Sequence, residues 1–194
     1  MPMVPKMVAY ENIYNPENQR EVEYFILLLL GTSPKGRLSV LHLEKEFFFL
    51  WNSSKYIKPL MEFIAHYKGP YSKALAETLR SPMYLEGLWE YEEPNKQDDL
   101  SGGFIKLNEK GIQKFKEILS KISSRNDKKL VNIIAGMNLL HDLYGNLDSK
   151  ELLYFVYTNP NYKKYITKSE VYDKIVTNEM NRNIAKRVHN TIEI

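Results

Sequence analysis

Two segments of this chain read as β-strands, and a polar, acidic turn separates them. The first is LWEYE, residues 88–92, and the second is FIKLN, residues 104–108, in which Ile105 and Leu107 share one face. The intervening PNKQDDLSGG is rich in residues that favour turns. We therefore predict a β-hairpin, and any fold for this chain must place that hairpin among segments with helical periodicity.

Three helical patterns precede the hairpin. They cover residues 15–31, residues 38–51 and the residues from Ser72 to about 80. In the first, Asn15 can cap the helix and Gly31 fits its stop. The sequence thus predicts three helices before the first strand.

Less regular structure is predicted between these patterns. GTSPKGR, residues 31–37, reads as a loop, and residues 52–70 as an extended segment. A short helical turn is predicted to begin at Pro82 and to end at Gly87. These connections complete the order helix, helix, helix, strand, strand.

Further helices follow the hairpin. Asn108 can cap a helix whose buried stripe would be Ile112, Phe115, Ile118, Leu119 and Ile122. After the polar SSRND, which is the best domain boundary in the chain, helical patterns cover residues 128–144 and the residues from Asp148 to just before Pro160. A last helix is predicted from Thr167, which has capping-box spacing with Glu170, and carries Ile184 and Val188.

Composition excludes several classes of protein. The 194 residues contain no cysteine, so disulfides, thiolate zinc sites and cysteine nucleophiles are absent. The longest apolar run, FILLLL at residues 25–30, is far shorter than the roughly 20 residues of a membrane span. The first residues do not resemble a signal peptide. We therefore expect a cytoplasmic protein with no membrane partner.

The stretch HYKGPYS, residues 66–72, has two interpretations. His66, Lys68, Tyr71 and Ser72 could line a catalytic pocket, but the sequence offers no partner carboxylate at a recognisable spacing. The favoured interpretation is architectural: Gly69 and Pro70 make a turn, Tyr71 packs before the third helix, and Ser72 caps it. The four histidines also form no H-x-x-x-H pair. We predict no enzyme, no catalytic residue, no metal site and no cofactor.

The order of elements is that of a winged helix, a DNA-reading variant of the helix-turn-helix. IKLNEKG, residues 105–111, resembles the Y-x-L-T-x-x-G signature at the end of the wing in many such regulators. This places a winged-helix-like domain at residues 15–125, between an N-terminal arm at residues 1–14 and a helical C-terminal extension at residues 126–194. The expected fold class is mainly α with a small β-hairpin (α+β).

The combination of GPYS, LEGLW, a wing closing on LNEKG and the later ELLYFVYTNP resembles a known group of proteins. It is similar to the YwgA-like proteins of bacteria and archaea and, more loosely, to the SocA or Panacea antitoxin domains. The resemblance covers most of residues 20–165. It implies a small regulatory or binding protein, in some cases an antitoxin or a protease adaptor, and no catalytic residues.

Two functions follow as hypotheses. As a transcriptional regulator, the protein would contact double-stranded DNA through Lys73, Glu77 and Arg80 on the third helix, with Lys68 on a phosphate. The alternative is an antitoxin or adaptor that binds a toxin or another protein and no DNA. The net charge of +3 does not decide between them. A homodimer is expected in either case, because such helical tails commonly pair subunits.

Overall fold

The computed structural model describes residues 16–94, residues 100–180 and residue 183. It is mainly helical with one small antiparallel sheet, so the predicted α+β class is confirmed. The main α-helices and β-strands of the described residues are α1 (Pro16–Thr32), β1 (Arg37–Ser39), α2 (Val40–Ser53), α3 (Lys73–Arg80), β2 (Trp89–Glu92), β3 (Phe104–Leu107), α4 (Glu109–Arg125), α5 (Lys128–Tyr144), α6 (Ser149–Thr158) and α7 (Glu170–Ile175), with short 3-10 helices at Lys58–Leu60 and Pro160–Tyr165.

The sheet contains the predicted hairpin and a third strand that the sequence analysis missed. β3 lies between β1 and β2, and Ile105 is paired with Leu38 on one side and Tyr91 on the other. The prediction that the second helix starts at residue 38 was wrong. Because Ser39 ends the strand and its hydroxyl accepts from the His42 amide, α2 begins at Val40. A strand of three residues is too short to show an alternating pattern.

α1 does not stop at Gly31 as predicted but includes it and ends at Thr32. A Cβ atom at Gly31 would lie 2.3 Å from Cδ2 of Phe115, so α4 packs directly onto the backbone of α1 at this point. The Thr32 hydroxyl donates to the Leu28 carbonyl at 2.9 Å. The glycine therefore serves a close helix contact rather than a helix end.

One continuous hydrophobic core joins the two parts of the chain that SSRND separates in sequence. Its centre is formed by α1 and α2, where Leu28, Phe47 and Phe48 are fully buried. Met137 of α5 and Leu152 of α6 are completely buried in the same core. The described part of the C-terminal region thus packs on the first helices. No helix in the described ranges is long and apolar enough to cross a bilayer.

The segment before α3 is more ordered than predicted. It contains a 3-10 helix at Lys58–Leu60, and the Trp51 indole donates to the carbonyls of Lys58 and Met61 at 3.0 and 2.8 Å. The prediction of an extended segment over residues 52–70 was therefore wrong for its first half. The reason is that the buried Trp51 indole N–H supplies the hydrogen-bond donor for these two backbone carbonyls. In an extended strand, the same carbonyls would have needed donors from a neighbouring strand.

α4 is capped by Asn108, whose side chain accepts from the Gly111 amide at 3.0 Å, as predicted. Of its predicted stripe, Ile118 and Ile122 are buried and Phe115 and Leu119 are half-buried, but Ile112 is 41% exposed. Gly111 faces inward instead, since a Cβ atom there would lie 2.1 Å from the Leu88 carbonyl oxygen. This close approach rotates Ile112 towards solvent.

The C-terminal helices follow the predicted order with one correction. α6 begins after Asp148, as predicted, and Asp148 and Glu151 form a capping box there. α7 is capped by Ser169 rather than Thr167, because the Ser169 hydroxyl accepts from the Tyr172 amide at 3.2 Å. α7 ends at Ile175, so it does not extend along the whole predicted helix. The positions predicted for its end, 184 and 188, lie outside the described residues.

Candidate functional site

α3 carries the residues that the sequence analysis selected for recognition. Ser72 stands at its N-cap, fully buried, with its hydroxyl accepting from the Leu75 amide. Leu75, Thr78 and Leu79 face the core, and Lys73, Glu77 and Arg80 are exposed on the opposite side. The helix therefore presents one polar face of mixed charge.

The charges on this face partly neutralise one another. Lys73 Nζ lies 3.6 Å from Glu77 Oε1, one helical turn away. Arg80 forms no ion pair with any described residue. A single unpaired cation thus remains on the exposed face of α3.

Lys68, predicted to contact a phosphate, is half-buried beside the turn that leads into α3. Its ammonium group donates to the Leu100 carbonyl at 3.4 Å and lies 5.7 Å from the centre of the Tyr67 ring. The side chain is therefore engaged with the protein itself. A contact to a ligand would require it to leave these partners.

A buried lysine of α2 forms a hydrogen bond with the turn before α3. Lys45 of α2 is completely buried, and its Nζ donates to the Pro70 carbonyl at 2.8 Å and lies 3.5 Å from Glu44 Oε2. Gly69 has a φ of +81°, and a Cβ atom there would lie 3.1 Å from Val156. Gly69 and Pro70 thus meet both α2 and α6, which fixes the start of α3 relative to the core.

Lys45 was not selected from the sequence, although a signal for it exists. It follows Leu41 by four residues and precedes Phe48 by three, so it occupies an apolar stripe of α2. Burial lowers the pKa of Lys45, and the neighbouring Glu44 partly opposes this. A charged residue within a buried stripe indicates a specific partner, which here is the Pro70 carbonyl.

His66 and Tyr71 lie beside this turn and stack on each other with ring centroids 4.7 Å apart. Burial, followed by the nearby Lys45 charge, lowers the pKa of His66. Burial also raises the pKa of Tyr71, and Glu44 acts in the same direction. Both rings are therefore neutral near pH 7. The Ser72 hydroxyl accepts from the Leu75 amide at the start of α3, which is the architectural role expected for it.

The backbone of the loop after α3 is hydrogen-bonded to a buried glutamate of α1. Residues 82–87 do not form the predicted helical turn, because the buried Glu23 carboxylate of α1 accepts three of their backbone amides. The donors are Met83 at 2.7 Å, Tyr84 at 2.8 Å and Leu85 at 2.6 Å. The Gln19 amide also donates to Glu23 at 3.1 Å. We call residues 83–85 the Glu23-bound loop.

The Glu23-bound loop presents apolar side chains to solvent. Met83 is 60% exposed and Tyr84 is 49% exposed. Their backbone is nevertheless fixed, since each amide is held by a carboxylate that is completely buried. No sequence signal marks Glu23, because it lies within an ordinary helical pattern and its partners are 60 or more residues away.

The outer face of the sheet also has mixed charge. Arg37 forms an ion pair with Glu92 at 2.7 Å and lies 3.6 Å above the Phe104 ring. Lys106 of β3 is paired across the sheet with Arg37 of β1 on one side and with Glu90 of β2 on the other. The tip of the hairpin, residues 95–99, lies outside the described residues. The described part of the hairpin thus gives no continuous positive surface.

Comparisons with known proteins leave the family open. No protein-family model, no curated protein and no solved structure matches this chain. Within the described ranges, no group of three or more His, Asp or Glu side chains could hold a metal ion.

Proposed function

We propose that residues 15–125 adopt a winged-helix fold that acts by binding and not by catalysis. Two observations support the fold. The elements follow the order α1, β1, α2, α3, β2, β3, and the sheet order is β1–β3–β2. The short first strand closes the sheet against the hairpin, and α3 precedes the hairpin as a recognition helix does.

The partner we propose is another protein, as in the antitoxin or adaptor hypothesis. The observation that carries this proposal is the Glu23-bound loop, where a fixed backbone exposes Met83 and Tyr84. Exposed aromatic and methionine side chains are enriched at the centres of protein interfaces. A loop that is already ordered loses little conformational entropy on binding.

The mixed charge around α3 is also consistent with a protein partner. The Lys73–Glu77 pair places both signs of charge on the exposed face of α3, and the Arg37–Glu92 pair does the same on the sheet. A polar rim of mixed charge around an apolar centre is the usual anatomy of a protein interface. A DNA backbone would instead select a surface on which cations predominate.

The test is affinity capture from the source organism followed by titration of the purified partner. The variant M83D/Y84D is compared with I112D, which removes a similarly exposed apolar side chain from α4. We expect M83D/Y84D to weaken binding by about tenfold or more, and I112D to leave it unchanged. If no stoichiometric protein partner is found, or if both variants bind normally, the proposal fails.

DNA is the second candidate, and one observation favours it. Arg80 is exposed at the end of α3 without an ion-pair partner in the described ranges, on the side opposite Leu75 and Leu79. An exposed arginine on a recognition helix suits a guanine edge in the major groove. Protein binding and DNA binding can be tested separately, because Met83 and Arg80 can be replaced independently.

A further inference from the structure

A groove of about 1040 Å³ lies between α1, α4, the start of α5 and the Glu23-bound loop, which contributes Tyr84 and Leu85 to its lining. Its apolar wall includes Ile118, Ile122 and Leu130, and the Tyr24 ring lines it from α1. Both isoleucines are buried members of the core. The groove is therefore built on the folded framework and is large enough for a small organic molecule.

The packing of the helices explains where the groove lies. α1 and α4 touch closely at Gly31 and Phe115, which belong to the end of α1 and the first half of α4. Arg20, near the start of α1, and Arg125, at the end of α4, both line the groove. The groove thus occupies the end of this helix pair that lies away from the close contact.

Cations predominate among the charged residues of the groove. Arg20, Lys121 and Arg125 line it, and none of them forms an ion pair with a described residue. A fourth cation, Lys114, lies 3.8 Å from Glu117.

Two carboxylates also line the groove, Glu21 and Asp127. Asp127 is already engaged, because its Oδ1 accepts from the Leu130 amide at the start of α5. The four lining cations therefore exceed the two carboxylates, and three of the cations are free to meet an anion.

We propose that this groove binds an aromatic organic anion, with its ring against Tyr24 and the isoleucines and its acidic group between Arg20, Lys121 and Arg125. The Tyr24 hydroxyl adds a donor. Burial raises its pKa and Asp127 acts in the same direction, while Arg125 opposes them, so the hydroxyl stays protonated at neutral pH. Tyr84 and Leu85 of the Glu23-bound loop line the same groove, so this ligand site adjoins the surface proposed for the protein partner.

A single small ligand fits this site better than a nucleic-acid backbone. The cations converge on one concave site with an apolar wall, whereas a nucleic acid needs a row of cations along an open surface. The carboxylates of Glu21 and Asp127 at the same site would also repel successive phosphates. Binding of DNA or RNA here is therefore an outcome that the test must exclude.

The test uses two dyes of similar shape on the full-length protein. Calorimetry with 8-anilinonaphthalene-1-sulfonate should show one site per chain, and the uncharged N-phenyl-1-naphthylamine should bind about tenfold more weakly, since it lacks the charge-assisted contacts. The variant K121E/R125E should also lose about tenfold in affinity for the sulfonate. K110E/K116E is the matched control, because both lysines are exposed on α4 and do not line the groove.

Four results would overturn the proposal. Equal affinity for the two dyes would show that no anion is recognised. Equal loss in K121E/R125E and K110E/K116E would show a general charge effect. Loss in M83D with full binding in K121E/R125E would place the dye at Met83, which does not line the groove. Displacement of the sulfonate by double-stranded DNA or by RNA would assign the groove to nucleic acid. Circular dichroism confirms that each variant is folded.

Discussion

His141 Nδ1 of α5 lies 2.8 Å from Glu46 Oε2 of α2, with both side chains buried. The approach is that of an ion pair rather than a well-aligned hydrogen bond. His141 Nε2 lies 3.0 Å from the Leu29 carbonyl of α1. With a carboxylate at one ring nitrogen and a carbonyl at the other, the doubly protonated imidazolium is the form that satisfies both partners. One side chain thereby connects three helices.

The stability of the protein should fall as pH rises through the neutral range. Burial lowers the pKa of His141, but Glu46, the Leu29 carbonyl and Asp142 together raise it by more, so the folded pKa lies above the ordinary value near 6.5. The stabilisation from this pair is therefore fully present below about pH 6.5 and is lost as pH rises through the raised folded pKa. Urea unfolding between about pH 6 and pH 9 at constant ionic strength measures this slope.

The isosteric variant E46Q is the control for this pH dependence. It removes the carboxylate that raises the pKa of His141, so the free energy of unfolding should vary less with pH than in the wild type. His66, whose pKa is shifted in the opposite direction, is present in both proteins and cancels in the comparison. Identical slopes for wild type and E46Q would contradict the prediction.

Replacing Gly31 by alanine should destabilise the protein by about 1–3 kcal/mol through overpacking against Phe115. Helix propensity alone predicts the opposite sign, a gain of up to about 1 kcal/mol. The double variant G31A/F115L provides room for the new methyl group and should recover part of the loss. Thermal and urea unfolding of the two single variants and the double variant measure the coupling. A stabilised G31A would show that the close contact is unimportant.

Replacing Ser72 by alanine should cost about 1 kcal/mol, because the Leu75 amide loses its capping acceptor. Binding of a partner should be unaffected once the variant is folded. S124A is the matched control, since the Ser124 hydroxyl is exposed and caps no helix start. If S72A abolished an enzymatic activity at unchanged thermal stability, the architectural interpretation would be wrong.

The elements that could be predicted are those that local chemistry determines. The hairpin strands were located to within a residue, because their alternation and the polar turn are local signals. The cap at Asn108 and the start of α6 at Asp148 were predicted correctly, since cap and helix are adjacent in sequence. Each of these features involves residues only a few positions apart.

The features that were missed depend on distant partners. Gly31 continues a helix because Phe115 approaches it, and Glu23 orders a loop 60 residues away. Lys45 binds the Pro70 carbonyl across 25 positions. At the candidate site, sequence spacing placed Lys73 and Arg80 on one exposed face of α3. The hydrogen bonds by which the loop amides donate to Glu23 could be recognised only in the folded structure.

The homodimer remains a prediction, and α5 offers a surface for it. Val131, Leu139 and Leu143 are exposed on this helix at intervals close to four and eight residues, which places them along one side. Antiparallel packing of two such helices about a twofold axis would bury the stripe of each copy. Light scattering should give twice the chain mass for the wild type and one chain mass for V131D/L139D. A monomeric wild type would exclude this dimer.

If the protein reads DNA, K73A/R80A should weaken specific binding by a few kcal/mol, because these side chains face outward from α3. K110A/K116A is the matched control, since it removes two exposed lysines from α4 and should leave specific binding intact. Lys68 must leave the Leu100 carbonyl to reach a phosphate, so K68A should weaken all sequences alike and reduce the salt slope by about one. Titrations at two salt concentrations measure both effects. A wild type with no affinity beyond the non-specific range at low salt would exclude DNA reading and leave the protein partner of the Glu23-bound loop as the remaining proposal.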